Sequence, residues 1–229
     1  DERKRTAELI RPILRGRDIK RYGYNWANLW LIYIPWHFPY QFDETIKGAS
    51  AKAEKAFSEQ YPAVYNHMLQ YKEPLSKRNK AETGIRYEWY AMQRWGAKYW
   101  EDFSKPKIIF QEIVQESQFF YDTKGFFMCN GTSRIIVGKD LAFLLGVLNS
   151  KLFFYAIKHF YGGGVLGEHG IRMKHTFLQN FPCIPYSSAI NKLTQERIQN
   201  ESAEFEKQIE KEIYNLYGLT PKEIQAIEE

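Results

Sequence analysis

The stretch from Lys107 to Phe160 constrains the fold more than any other part of this chain. KIIFQEIV (Lys107 to Val114) concentrates β-branched and aromatic residues in a run short for a helix and well suited to a strand. QFFYD followed by GFFMCN, turning over Asp122 to Gly125, reads as a hairpin, and Arg134 to Val137 as a further strand. The period then changes from two to 3.6. Leu141, Leu144, Leu145, Leu148, Leu152 and Tyr155 share one helix face that runs to about Phe160, with Asp140 placed to cap it. Successive strands followed by an apolar helix predict an α+β (mixed α/β) domain with a small, mostly antiparallel or mixed sheet flanked by helices.

The flanks extend this scheme. LIRPILRGRDIKRY (Leu9 to Tyr22) joins a short apolar stretch to a basic turn at Gly16, and LWLIYI (Leu29 to Ile34) reads as a strand ended by Pro35 and Pro39. Ala49 to Lys77 reads as helical pieces, with Tyr61, Val64, Tyr65, Met68 and Leu69 on one face. Between Asn79 and Phe103 the run RYEWYAMQRWGAKYW has no clean period and reads as an exposed recognition surface. Gly162 to Gly170 forms a glycine-rich loop leading through IRMKH to FPCIPY (Phe181 to Tyr186). A recognition domain over 1–186 is expected to end there. Residues 187–229 then form a long C-terminal helical segment. Its stripe of Ile198, Phe205, Ile209, Ile213 and Leu216 ends at Gly218, and a capping box at Thr220, Pro221 and Glu223 starts a short last helix. The many charges on that segment favour a strut toward another domain over a packing element.

Composition narrows the class. Two cysteines, far apart, exclude a disulfide framework and favour a reducing cytoplasm. No run approaches the roughly 20 apolar residues of a membrane span, and Asp1 to Glu8 is charged where a signal peptide is apolar, so no membrane partner is expected. The start without an initiator methionine points to a piece of a longer polypeptide with a further domain. The net charge of +5 tilts toward polyanionic partners, and the body is more basic still once the carboxylate-rich tail is set aside.

Chemistry-bearing patterns do not assemble. Gly162, Gly164 and Gly167 have G-x-G-x-x-G spacing, but a helix precedes them and a basic, aperiodic segment follows, the reverse of a phosphate cradle's context. The chain has no Pro-Pro pair with which an amino-methyltransferase turn would hold a target base. Glu112 and Glu116 lie near Lys107 without a nuclease spacing, His169 and His175 have no third ligand, and Cys129 has no base beside it. No catalytic, cofactor-binding or metal-binding residue is assigned. The basic and aromatic groups remain: Arg15, Arg17, Lys20 and Arg21 around Gly16, then Lys77 and Arg78, then Arg86, Trp89, Gln93 and Arg94, and finally Arg172, Lys174 and His175. Arg reads guanine edges and Gln adenine edges bidentately, while Lys serves phosphates as a point charge. These residues are the candidate contacts to double-stranded DNA.

Several segments in order resemble the TaqI-like C-terminal specificity domain of type II (IIG-like) restriction-modification enzymes and adenine-specific DNA methyltransferases. They are ILRGRDIKRY (Ile13 to Tyr22), YPAVYNHMLQYKEPLSKR (Tyr61 to Arg78), WYAMQR (Trp89 to Arg94), KPKIIFQEI (Lys105 to Ile113), LLGVLNSKLFFY (Leu144 to Tyr155) and FPCIP (Phe181 to Pro185). The ending IYNLYGLTPKEI (Ile213 to Ile224) is similar to the tail of fused restriction-modification proteins. The resemblance implies a target-recognition domain, not itself an enzyme, covalently linked downstream of a methyltransferase domain that holds S-adenosylmethionine, often with a nuclease further upstream. It also implies that Asp18, in the Gly-Arg-Asp motif, holds the fold while its neighbours meet DNA. Two rival readings stay open: a protein-interaction module of a bacterial defence complex, and a self-sufficient methyltransferase or nuclease with unrecognised motifs.

Overall fold

The computed structural model describes residues 1–161, 165–166 and 170–229. Its first half holds α1 (Glu2–Leu9), β1 (Ile10–Leu14), a 3-10 turn (Gly16–Asp18), β2 (Ile19–Lys20), β3 (Gly23–Tyr24), β4 (Trp30–Ile32), α2 (Ala51–Gln60), α3 (Pro62–Leu69), α4 (Lys72–Ser76) and a 3-10 turn (Trp100–Ser104). The second half holds β5 (Lys107–Gln111), β6 (Ile113–Val114), β7 (Phe119–Asp122), β8 (Met128–Cys129), β9 (Ser133–Ile136), α5 (Leu141–Leu148), α6 (Lys151–Ala156), a π turn (Ile157–Tyr161), β10 (Val165–Leu166), β11 (Gly170–Arg172), α7 (His175–Leu178), α8 (Ser188–Gln199), α9 (Ala203–Leu216) and α10 (Pro221–Glu228). The architecture is α+β, as the sequence predicts. The chain divides into two compact units, Asp1–Pro12 with Leu29–Glu101, and Ile13–Asn28 with Asp102–Glu229.

In the first unit β1 pairs antiparallel with β4, Ile10 opposite Ile32 and Pro12 opposite Trp30. Ser50 caps α2 by accepting from the Ala53 amide, and Pro62 opens α3, where its missing N–H costs nothing. The core gathers Leu9, Ile34, Phe38, Phe57, Val64, Tyr87, Trp89, Tyr90 and Ala91. This corrects part of the exposed surface expected over 79–103: Tyr87 to Ala91 lie inside, while Ile85, Arg86, Arg94 and Tyr99 are exposed. The aromatic run has no helical or strand period since it is buried ring by ring: Trp36 stacks on Tyr87 at 4.7 Å between centroids, and Phe57 meets Tyr90 at 4.6 Å. Buried Glu88 is satisfied by the His37 and Ser50 amides, each at 2.8 Å, and faces the His37 ring Nδ1 at 3.0 Å.

The second unit is built on the antiparallel sheet β7-β5-β9, with Ile109 opposite both Phe120 and Ile135. The expected hairpin across Asp122 to Gly125 is half right. The turn exists, with Gly125 at φ 62° and Ser104 O only 2.2 Å from where a Cβ would stand, but β8 pairs in parallel with the end of β1 instead of with β7. The single helix expected down to Phe160 is broken between α5 and α6. There Asn149 spends its amide on Phe119, accepting from N at 3.0 Å and donating to O at 2.9 Å, and Ser150 caps the new helix by accepting from Phe153 N. Asp140 occupies the N-cap position of α5 without a side-chain capping bond.

Helix α5 packs on the sheet, α8 packs on α5 and α9 on α8, and Leu145, Ile190, Ile209 and Ile213 are each at most 1% exposed. The strut expected of residues 187–229 is therefore corrected. The chain breaks after Gln199, and α8 and α9 turn their apolar stripes into the core of this unit, most of their charges facing out and buried Glu210 paired with Arg21. Gly218 at φ 66° ends α9, and Thr220 and Glu223 form the predicted capping box of α10. Among the described residues no single helix is long and apolar enough to cross a membrane. The G-x-G-x-x-G spacing of the glycine-rich loop, Gly162, Gly164 and Gly167, falls on residues outside the described ones.

Lys107 is fully buried at the start of β5, opposite Asp122 of β7. Its ammonium donates to Asp122 Oδ2 at 2.7 Å and Phe103 O at 2.8 Å, while Asp122 also accepts the Phe127 amide at 2.8 Å. A buried charge left alone is far costlier than a satisfied pair. Asp122→Ala is expected to destabilise the fold by about 3–5 kcal/mol in denaturant unfolding. A loss under about 1 kcal/mol, of the size seen for exposed ion pairs, would refute the buried-pair account.

Candidate nucleic-acid interface

The basic turn at Gly16 is organised by one carboxylate. Asp18 is 4% exposed, accepts the Arg15 amide at 2.9 Å, and takes the Arg15 guanidinium through Nε at 3.0 Å and Nη2 at 2.8 Å. Its own backbone donates to Arg15 O and accepts from Asn25 N at 2.7 Å. The paired guanidinium holds the Asp18 carboxyl below the ordinary carboxylate range, and the same bond raises Arg15. Arg15 is thus committed to Asp18, although its side chain is 29% exposed. Arg17, one residue beyond the pivot, is exposed and makes no side-chain hydrogen bond or ion pair among the described residues.

This turn forms one wall of an open cleft of about 480 Å³ in the second unit. Arg15, Gly16 and Arg17 face Gln111, Glu112 and Ile113 from the end of β5 and the start of β6, with Asn130, Gly131 and Thr132 closing the floor. Asn130 fixes that floor by accepting from Thr132 Oγ1 and Ser133 Oγ, each at 2.9 Å. Arg134 is clasped to Glu112 and to the Gly131 and Ser133 carbonyls, so the local charge is largely balanced except at Arg17.

A second basic segment reaches the same wall through the sheet. β11 pairs antiparallel with β6, Arg172 opposite Ile113, and the Met173 amide donates to Glu112 O at 2.6 Å. This brings Arg172, Lys174 and His175 into register beside the residues that line the cleft, although about 155 positions separate them from Arg17. Arg172 Nε is shielded from solvent without a hydrogen-bond partner, and Lys174 and His175 have no side-chain partner among the described residues. Lys20, half-buried in β2, has none either.

The remaining sequence-predicted residues are differently placed. Arg21 lies over the Tyr22 ring and is ion-paired to Glu206 at 3.1 Å and Glu210 at 3.3 Å, binding α9 to the body of the second unit. In the first unit Arg78 donates to Trp89 O at 2.9 Å and Ala91 O at 2.7 Å, and burial pulls it below its ordinary pKa. Trp89 is 6% exposed, its indole donating to Glu54 at 2.7 Å, which corrects its role as a ring for DNA bases. Arg86 and Arg94 share Glu82, and Lys77 pairs with Glu73 one turn away. These last three cations are more than half exposed, and such pairs are worth about 0–1 kcal/mol, so exchange for a phosphate costs little. Gln93 is half-buried, its carbonyl accepting from Arg94. Burial pushes the Cys129 thiol up to about 12, far from a nucleophile's range.

Sequence reasoning missed Gln111, Asn130 and Thr132. The available signal was a polar residue ending a strong apolar strand and the turn-forming Asn-Gly-Thr between two strands.

A family model for the TaqI-like C-terminal specificity domain matches residues 11–183. That span includes the Gly-Arg-Asp turn, the cleft and β11. Comparison with curated proteins gives no match.

The Asp18 clamp has a pH signature. Since the folded carboxyl titrates below the unfolded one, its stabilisation is complete above the ordinary carboxylate range and is lost as pH falls through the folded value. Asp18→Asn is expected to cost about 1.5–3 kcal/mol at pH 7, the scale of a hydrogen bond to a charged group, with the gap to wild type closing in acid. Urea titrations at neutral and acid pH measure it, and a gap unchanged in acid would contradict the assignment.

Proposed function

The chain belongs to the TaqI-like C-terminal specificity domain family, and we propose that it reads a short sequence in double-stranded DNA on behalf of a covalently linked catalytic domain. Domains of this family give restriction-modification enzymes their DNA sequence recognition and are not themselves catalytic. The observation that carries the reading is the family match running through the cleft that joins the Gly-Arg-Asp turn to β6 and β11. In the full proposal the linked domain is an adenine methyltransferase that holds S-adenosylmethionine, and a nuclease can be attached to it. This chain orients the duplex so that the target base meets that pocket. The work belongs in the cytoplasm, where that cofactor and the DNA are found.

Side-chain pairing separates cations that bind DNA from cations that hold the fold. Arg17, Lys20, Arg172, Lys174 and His175 form no ion pair with a carboxylate among the described residues and are the proposed DNA contacts of the second unit. Lys77, Arg86, Gln93 and Arg94 are the proposed contacts of the first, their weak pairs exchanging for phosphates. Arg15, Arg21 and Arg78, each held by partners within the protein, and buried Trp89 support these groups. Phosphate contacts supply most of the affinity and orient the domain, and contacts to base edges supply discrimination.

Each phosphate neutralised contributes about −0.9 to the slope of log affinity against log salt. The double variant Arg17→Ala/Lys174→Ala is expected to flatten that slope by roughly 2, measured by fluorescence anisotropy on a duplex. Arg21→Ala is expected to leave the slope unchanged and to lower thermal stability, because its guanidinium serves Glu206 and Glu210. Equal slopes for wild type and the double variant would overturn the assignment of these cations to phosphate.

A further inference from the structure

We propose that Gln111 is a specificity-determining residue that reads an adenine in the major groove, and that Gly16 is the positioning residue that leaves it room. The proposal rests on the DNA-reading function above and adds to it a named residue and the base it selects.

Side chains along a strand point to opposite faces in turn, so Gln111 shares its face with Ile109 two residues earlier. Ile109 is fully buried against Leu14, Ile19 and Phe127, the packing that seats the Gly16–Asp18 turn on the sheet. Gln111 stands one step further along the same face, where that packing ends. It is half-buried, it lines the cleft, and its carboxamide has no hydrogen-bond partner among the described residues. Its amide therefore opens to solvent at the rim of the cleft, with a donor and an acceptor both available to a ligand.

Gly16 touches this side chain directly. A Cβ built on Gly16 would stand 2.9 Å from both Cγ and Cδ of Gln111 and 3.1 Å from Thr132 Oγ1. Real Cβ atoms do not approach carbon that closely, so any other residue at 16 would push the Gln111 side chain off the turn. Gly16 has no left-handed backbone to account for its presence, which leaves the space taken by Gln111 as the physical reason for a glycine here.

The chemistry then selects the base. A carboxamide offers one acceptor and one donor side by side, the complement of adenine N6–H and N7 on the major-groove edge. Arg17 beside it holds the charge to meet a guanine edge or a phosphate, and Ile113, 46% exposed on the facing wall, offers the apolar contact that a thymine methyl takes. An acidic side chain at 111 would accept only, and would favour the amino group of cytosine.

The test is selection of bound duplexes from a randomised pool, followed by sequencing, with the full chain as wild type, Gln111→Ala, Gln111→Glu and Gly16→Ala. Wild type is expected to enrich a motif containing a fixed adenine. Gln111→Ala should weaken preference in that single column by roughly ten- to a hundredfold while the other columns and the affinity for scrambled duplex stay the same. Gln111→Glu should move that column toward cytosine, and Gly16→Ala should weaken it with Gln111 intact. A motif that survives unchanged in both Gln111 variants overturns the proposal alone. A wild type that binds duplexes without enriching any motif overturns the DNA-reading function and the proposal together.

Discussion

Both faces of β5 are covered. Ile108 and Phe110 face the helical core with Phe119, Leu145 and Ile213, while Ile109 faces Leu14, Ile19 and Phe127. A strand enclosed on two sides has to satisfy whatever polar group it carries, which is why Lys107 at its start is locked to Asp122. The same enclosure fixes its register, because a slip by one residue would exchange the two faces and place Lys107 against the wrong partner. Where the enclosure ends, at Gln111, the chain delivers a polar side chain to the cleft at a position set by the core behind it. Recognition of base edges needs this kind of rigid support, since a loosely held donor or acceptor discriminates poorly.

The second organising factor is the division of the cations by their partners. A sequence reads Arg15, Arg17 and Arg21 as one basic cluster, yet the fold gives them three separate tasks. Arg15 closes the turn on Asp18, Arg21 ties α9 to the body of its unit, and Arg17 is left facing out. Charge-assisted bonds of the first two kinds hold the surface from which the third projects. The pairing of β6 with β11 then sets Arg172 opposite Ile113, a residue that lines the same cleft as that turn, from the far end of the sequence. A loss of DNA affinity at Arg21 and one at Arg17 would therefore have different physical origins, the first through folding and the second through contact.

Much of the fold was legible from residue type and period. The strand at β5, the turn at Gly125, the C-cap at Gly218 and the capping box at Thr220 stand where local chemistry puts them, because each depends on neighbours a few residues away. What could not be read depends on distant partners. The pairing of β8 with β1, the break at Asn149 that serves Phe119, and the folding of α8 and α9 into the core are set by contacts across tens to hundreds of positions. The stretch RYEWYAMQRWGAKYW misled for the same reason: aromatic rings without a period suit an exposed binding face and an irregular core equally, and only Glu54, Phe57 and Trp36 decide between them. For the candidate interface, the sequence supplied the cations and the structure supplied their engagement. Gln111 escaped notice because its one local mark, a polar residue ending an apolar strand, does not show that its place is set by a glycine nearly a hundred residues before it.

The most direct measurement of the central claim is hydrogen–deuterium exchange read by mass spectrometry, with and without the duplex that the chain selects. DNA is expected to slow exchange in the Gly16 turn, at the end of β5 and the start of β6, over Asn130 to Arg134 and from Gly170 to His175, and a scrambled duplex is expected to give weaker protection there. Protection that leaves these four segments untouched, or that is equal for selected and scrambled DNA, would contradict the account of this cleft as the reading surface.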